Sequence, residues 1–168
     1  MEDSKRIDIA FKLLDNVQNL IRFADTKINV LLIISGVTTT FILTNFQYWC
    51  GLNCFSRIVL GLFFLVFIGF VIFSILTISP RIAKHTGSSP AKVIYFKHIS
   101  VREEVKDFVD DFNKLTSENC VIDTLYQVYE NSKIAEKKFD FYNKSLVALQ
   151  IQVFLFFILI ALKFNSYL

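Results

Sequence analysis

The chain has 168 residues, 54% of them hydrophobic, with 19 Phe, 18 Lys or Arg, 15 Asp or Glu and a net charge of +3. An ordinary soluble domain sits nearer ~45–50% apolar, so a conventional water-soluble globule is excluded. Three stretches, Ile28 to Ser56, Ile58 to Pro80 and Ser145 to Leu162, hold no Asp, Glu, Lys or Arg. Each is long enough for the ~20 residues a helix needs to cross the hydrocarbon core of a bilayer.

Residues 1–27 are predicted to form an amphipathic helix. Ile7, Phe11, Leu14, Val17, Ile21, Ala24 and Ile28 recur at steps of three and four, which puts them on one face. Asp3 or Ser4 can cap its start. Nothing between Thr26 and Val30 breaks a helix, so it is predicted to run on into a first span over 28–47. That apolar run is too long for a signal-peptide core, and no cleaved leader is expected.

Residues 48–56 form a short loop. Phe46, Tyr48 and Trp49 at one end of the first span, and Phe164 and Tyr167 at the end of the third, suit an aromatic belt at one membrane interface. Cys50 and Cys54 lie in this loop; a disulfide there requires a favourable turn, and two small interfacial residues are the plainer reading. The second span covers 57–79 and stops at Pro80.

The 80–144 segment begins with a loop containing Gly87, Ser88, Ser89 and Pro90. Val93 to Phe96 form an apolar patch compatible with a strand or a helical turn. Ser100 with Glu103 has the capping-box pattern and predicts a helix over Val101–Leu115. A second helix is predicted from Ser117 or Glu118. Its apolar series, from Val121, Leu125, Val128 and Ser132 to Ala135, Phe139, Tyr142, Leu146 and Leu149, has heptad spacing, the signature of packing on another helix. The series passes Ser145 in phase, so one rod of about 65 Å, at ~1.5 Å per residue, enters the third span over 145–164. A short tail, 165–168, follows. The fold class is therefore an all-α integral membrane protein with three transmembrane helices. A cytoplasmic helical bundle is expected from the N-terminal helix and the insert between spans two and three. The two helices that continue into the bilayer suit a rigid scaffold and a transmission element equally.

Lys and Arg fix the expected orientation. Five precede the first span and eleven lie between spans two and three, against Arg57 in the short loop and Lys163 after the third span. The positive-inside rule places the N-terminus and the 80–144 segment in the cytoplasm.

No motif for enzymatic chemistry is present. There is no phosphate-cradling glycine loop and no His-Glu-x-x-His, and His85 and His98 are too few for an ordinary metal or acid–base cluster, so neither a catalytic site nor a metal site is expected. Glu103 with Glu104 and Asp110 with Asp111 read as solvated helix faces. Uncharged spans argue against an ion-coupled transporter. Thr38, Thr39 and Thr40 are the main polar cluster within a span, suited to packing or to lining a pore in an oligomer. Gly36, Gly61 and Gly69 are expected to allow close helix contact.

The run Arg22-Phe23-Ala24-Asp25-Thr26-Lys27 entering the first span, the Ser79-Pro80-Arg81 end of the second, the helical insert and the Lys138-Phe139 region before the third resemble the transmembrane effectors of the Pycsar bacterial anti-phage system. The most specific element is Ala24-Asp25-x-Lys27; Ile28 stands where the family often has a small residue. The resemblance covers essentially the whole chain. It implies an inner-membrane, multi-pass effector that assembles with itself and takes no cofactor. Its functional partner would be a pyrimidine nucleotide cyclase, whose product, cyclic CMP or cyclic UMP, makes the effector impair the membrane. No nucleic-acid partner is expected.

A cyclic mononucleotide needs a cation for its phosphate and a surface for its base. Candidate cations are Arg22, Lys27, Arg81 and Arg102, and Tyr95 or Phe96 is a candidate stacking surface. Arg22, Lys27 and Arg81 also suit plain interfacial anchoring, and Asp25 has Lys27 and Arg81 as local partners. Two other readings remain open: a holin-like pore former, and a scaffold subunit holding a partner protein through the Val121–Leu149 seam.

Overall fold

The computed structural model describes residues 3–51, 53–79, 93–94, 99 and 103–165. Their main helices are α1 (Asp3–Thr44), α2 (Phe46–Gly51), α3 (Cys54–Ile78), α4 (Val105–Asn113) and α5 (Ser117–Asn165). No strand occurs among the described residues. Helices α1, α3 and α5 are each long and apolar enough to cross a membrane, and the chain is a membrane protein. α1 and α5 run without interruption through 42 and 49 residues, as their unbroken periodicity requires.

The chain divides into two compact units. One comprises Met1–Arg22 with Arg81–Glu136, the other Phe23–Pro80 with Lys137–Leu168. α1 and α5 each contribute to both.

The spanning unit is a three-helix core in two layers. One layer joins Ile28 and Leu31 of α1, Phe70 of α3 and Leu149 of α5. The other joins Ile42, Val59, Leu60, Phe63 and Leu159 with Trp49. From one layer to the next, residue numbers rise along α1 and α5 and fall along α3, so α1 and α5 are parallel and α3 opposes them. Outward-facing Ile33, Val37, Leu65 and Phe154 are 66–67% exposed, which in water would be costly and in lipid is not.

Three local expectations are revised. α4 starts at Val105 behind an extended Glu104, so Glu103 precedes the helix and cannot occupy the third helical position a capping box requires; Ser100 lies outside the described residues. Val93 and Ile94 form a bend rather than a strand or helical turn, while Tyr95 and Phe96 lie outside the described residues.

Trp49 is fully buried, packed with Ile42, Phe63 and Leu159. The short α2 turns it inward, and Lys163 lies over its ring and that of Tyr48, at 5.6 and 4.8 Å from the centroids. Finally, the glycines mediate no close contact: a Cβ built on Gly36, Gly61 or Gly69 meets nothing within 4 Å. Cys54 carries a free thiol, and the side chain of Cys50 lies outside the described residues.

Candidate functional site

Two polar features distinguish the two units. In the first unit a cavity of about 470 Å³ is lined by Leu14, Gln18, Ile21 and Arg22 of α1, by Ile94, and by Gln127 and Asn131 of α5. Leu14, Gln18 and Arg22 are successive i, i+4 neighbours, as are Gln127 and Asn131, so each helix offers one face to the space. The wall thus carries a guanidinium and three carboxamides beside three branched aliphatic side chains. Its size falls within the ~300–1,000 Å³ of small-molecule sites.

Ile94 is tied to α5. Its backbone N–H donates to Asp123 Oδ2 at 3.0 Å. Asp123 is buried at 7% exposure, and its Oδ1 has no hydrogen-bond partner. On the same helix, outside the cavity, Lys133 is held above the ordinary lysine value, chiefly by its hydrogen bond with Tyr129, with Glu130 adding a smaller effect. Among the described residues no three metal-ligating side chains come together.

The second feature is a polar seam in the spanning unit. Asp25 accepts a 2.5 Å charged hydrogen bond from Lys138 Nζ, whose side chain is only 6% exposed. Deeper in the span, Gln152 is fully buried. Its Oε1 accepts from Ser35 Oγ at 2.8 Å, and its Nε2 donates to Thr39 Oγ1 at 3.0 Å and to Thr38 Oγ1 at 3.3 Å. One amide therefore has every polar atom paired across two helices. In hydrocarbon no water is available to replace those bonds.

The expected heptad seam of α5 is correspondingly shifted. Val121, Ala135 and Leu149 are buried as the periodicity predicts, whereas Leu125 is 44% exposed and Ser132 is exposed. Their place is taken by Thr124, Asn131, Lys138, Ser145, Gln152 and Leu159, every seventh residue, of which all but the half-buried Asn131 are buried. The buried polar members have partners: Lys138 meets Asp25, Gln152 meets α1 hydroxyls, and Thr124 and Ser145 donate to the Cys120 and Phe141 carbonyls of their own helix.

Of the sequence-predicted residues, Arg22 lines the cavity. Lys27 does not; its ammonium lies over the Phe23 ring at 5.0 Å. Ala24 is fully buried, and Asp25 pairs with Lys138 instead of Lys27, because residues two apart on a helix point to different sides. Arg81, Tyr95, Phe96 and Arg102 lie outside the described residues. Sequence reasoning missed Gln18, Gln127 and Asn131. Their i, i+4 spacing was visible, but which face of α5 meets which face of α1 was not.

Residues 9–164 match the family model described as the Pycsar effector protein domain. A curated relative, the Pycsar effector protein EcPycTM of Escherichia coli, is 22% identical over 175 residues, covering 99% of this chain and 95% of the relative. No solved structure matches the chain. The family match spans α1, all of α2 to α4 and α5 almost to its end, taking in both the cavity and the polar seam: the chain belongs to the Pycsar effector family, and its role is that of an anti-phage effector.

Proposed function

We propose that the cavity between α1 and α5 takes a cyclic pyrimidine mononucleotide, cyclic CMP or cyclic UMP, and that its binding makes the protein impair the inner membrane. The observation that carries this reading is the lining: one guanidinium and three carboxamides beside Leu14, Ile21 and Ile94. Arg22 suits a monoanionic phosphate, because its planar fork donates two hydrogen bonds. A carboxamide offers a donor and an acceptor side by side, matching the edge of either pyrimidine. The aliphatic side chains suit the faces of the base. Arg81, Tyr95 and Arg102 are further candidate contacts.

A partner pyrimidine nucleotide cyclase supplies the ligand, and the effector performs no chemistry on it. The Lys- and Arg-rich segments, and with them the cavity, face the cytoplasm. A ligand drives a change only by binding one arrangement more tightly than another. Because α1 and α5 are continuous, a change in their spacing at the cavity is passed along the same two rods to the Asp25–Lys138 and Gln152 contacts. Copies of the protein then assemble into the state that damages the bilayer.

Isothermal titration of purified protein with cyclic CMP and cyclic UMP tests the assignment. One of the two is expected to bind; Arg22→Ala is expected to weaken that binding by about tenfold or more, the factor for ~1.4 kcal/mol, near the low end for a charged hydrogen bond, and Gln127→Leu by about threefold or more, as for a neutral one. Undiminished affinity in both variants would remove the cavity as the site.

A further inference from the structure

Outside the polar seam, the spanning unit carries an open groove of about 470 Å³ between α3 and α5. Its lining changes character along its length. At one end stand Asp140, Asn143 and Lys144, just before the uncharged stretch that begins at Ser145; beyond them the walls are entirely apolar, from Val147 to Ile151 on α5 and along the Leu65–Phe73 segment of α3. From Ser145, where the uncharged stretch begins, to Ile151 is about 9 Å at ~1.5 Å rise per residue. That falls within one leaflet, half of the ~30 Å hydrocarbon core. Gly69 lies in the wall, and a Cβ there meets nothing within 4 Å, so the missing side chain leaves room that no neighbour fills.

The geometry points to a binding site for a single phospholipid bearing a primary ammonium, of the phosphatidylethanolamine type, with an acyl chain in the groove and its headgroup on the Asp140–Lys144 pair. Three observations favour a lipid over a helix from a second copy. The groove is polar at one end only, and that end lies at the edge of the uncharged stretch, as a phospholipid's polarity requires. Its apolar part stays within one leaflet rather than running a full span. Its polar end carries both signs of charge one helical turn apart: Lys144 Nζ lies 2.8 Å from Asp140 Oδ2, with both side chains about half exposed. Lys144 and Asn143 can donate to phosphate oxygens, and Asp140 can accept from an ammonium N–H. A choline headgroup carries no N–H to donate, and a glycerol headgroup carries no positive charge. In lipid the acyl chain gains nothing from leaving water, so the preference rests on close packing against the groove walls and on the paired headgroup charges.

Native mass spectrometry of the full-length protein from detergent micelles, supplemented in turn with dioleoyl phosphatidylethanolamine, phosphatidylcholine and phosphatidylglycerol, tests this. The expected result is preferential retention of phosphatidylethanolamine at one lipid per chain. Gly69→Leu, which fills the groove, should abolish that retention, whereas Gly61→Leu, outside the groove, should leave it intact. Lys144→Gln and Asp140→Asn, both on the exposed face, should each weaken retention by roughly fivefold, the factor for ~1 kcal/mol per headgroup charge contact. Equal retention of the three lipids, or unchanged phosphatidylethanolamine retention in Gly69→Leu, would overturn the assignment. A change in the number of chains per complex in Gly69→Leu, without lipid loss, would overturn it in favour of a second copy.

Discussion

Lys138 is the polar group on which the spanning unit is most exposed to a single substitution. Its side chain is 6% exposed, while that of its partner Asp25 is 38% exposed. The two halves of this pair should therefore behave unequally. Asp25→Asn leaves an ammonium buried without a counter-charge; removing one partner of a buried pair costs ~3–5 kcal/mol, and the water that reaches the Asp25 side places the cost near the lower end, ~3 kcal/mol. Lys138→Met keeps the aliphatic stem's packing and leaves a carboxylate that water reaches, so it should cost only ~1 kcal/mol. Adding Asp25→Asn to Lys138→Met should then cost little more, a coupling of ~3 kcal/mol between residues 113 apart in sequence. Equilibrium unfolding of the four proteins in mixed micelles, followed by circular dichroism, measures the cycle. A coupling below ~0.5 kcal/mol, or equal losses for the two single variants, would refute the reasoning.

Gln152→Leu should destabilise the spanning unit by about 1–2 kcal/mol in the same assay. Hydrogen bonds between transmembrane helices average ~0.6 kcal/mol, and Ser35 and Thr39 both lose a partner, whereas Thr38 retains the Ile34 and Ser35 carbonyls. Trp49, the single Trp, is fully buried, so its fluorescence should be blue-shifted and insensitive to iodide, and Trp49→Ala should cost about 3–5 kcal/mol. Val105→Ser, at 79% exposure on α4, should change stability by less than ~0.5 kcal/mol.

The spans and the continuity of α1 were legible because lipid imposes one rule over some twenty residues, and an uncharged run of that length has few other uses. The period of α5 was legible too, as Val121, Ala135 and Leu149 attest. Its phase was only half legible. A reading that seeks apolar residues at the contact puts Leu125 inside and Lys138 and Gln152 outside, and the structure reverses both. The reversal is physical: a polar side chain is stable in the seam once it meets a partner, and Asp25 and Ser35 lie more than a hundred residues away in sequence. Within the Ala24-Asp25-x-Lys27 run the local partner Lys27 was legible and the distant one was not: Asp25 turns inward to Lys138 while Lys27 lies over Phe23. The cavity was least legible. Of its lining only Arg22 stood out, because a cation is noticed and an amide is not, and because Gln18 and Gln127 acquire a common purpose only when two helices are docked.

Release of an encapsulated dye from liposomes holding the purified protein tests the account at its centre. Cyclic CMP or cyclic UMP is expected to trigger release from vesicles holding the wild-type protein, with Arg22→Ala requiring about tenfold more ligand, the factor for ~1.4 kcal/mol. Release that is equal with and without either nucleotide would contradict ligand control of the membrane. An unchanged ligand requirement in Arg22→Ala would contradict control through the cavity.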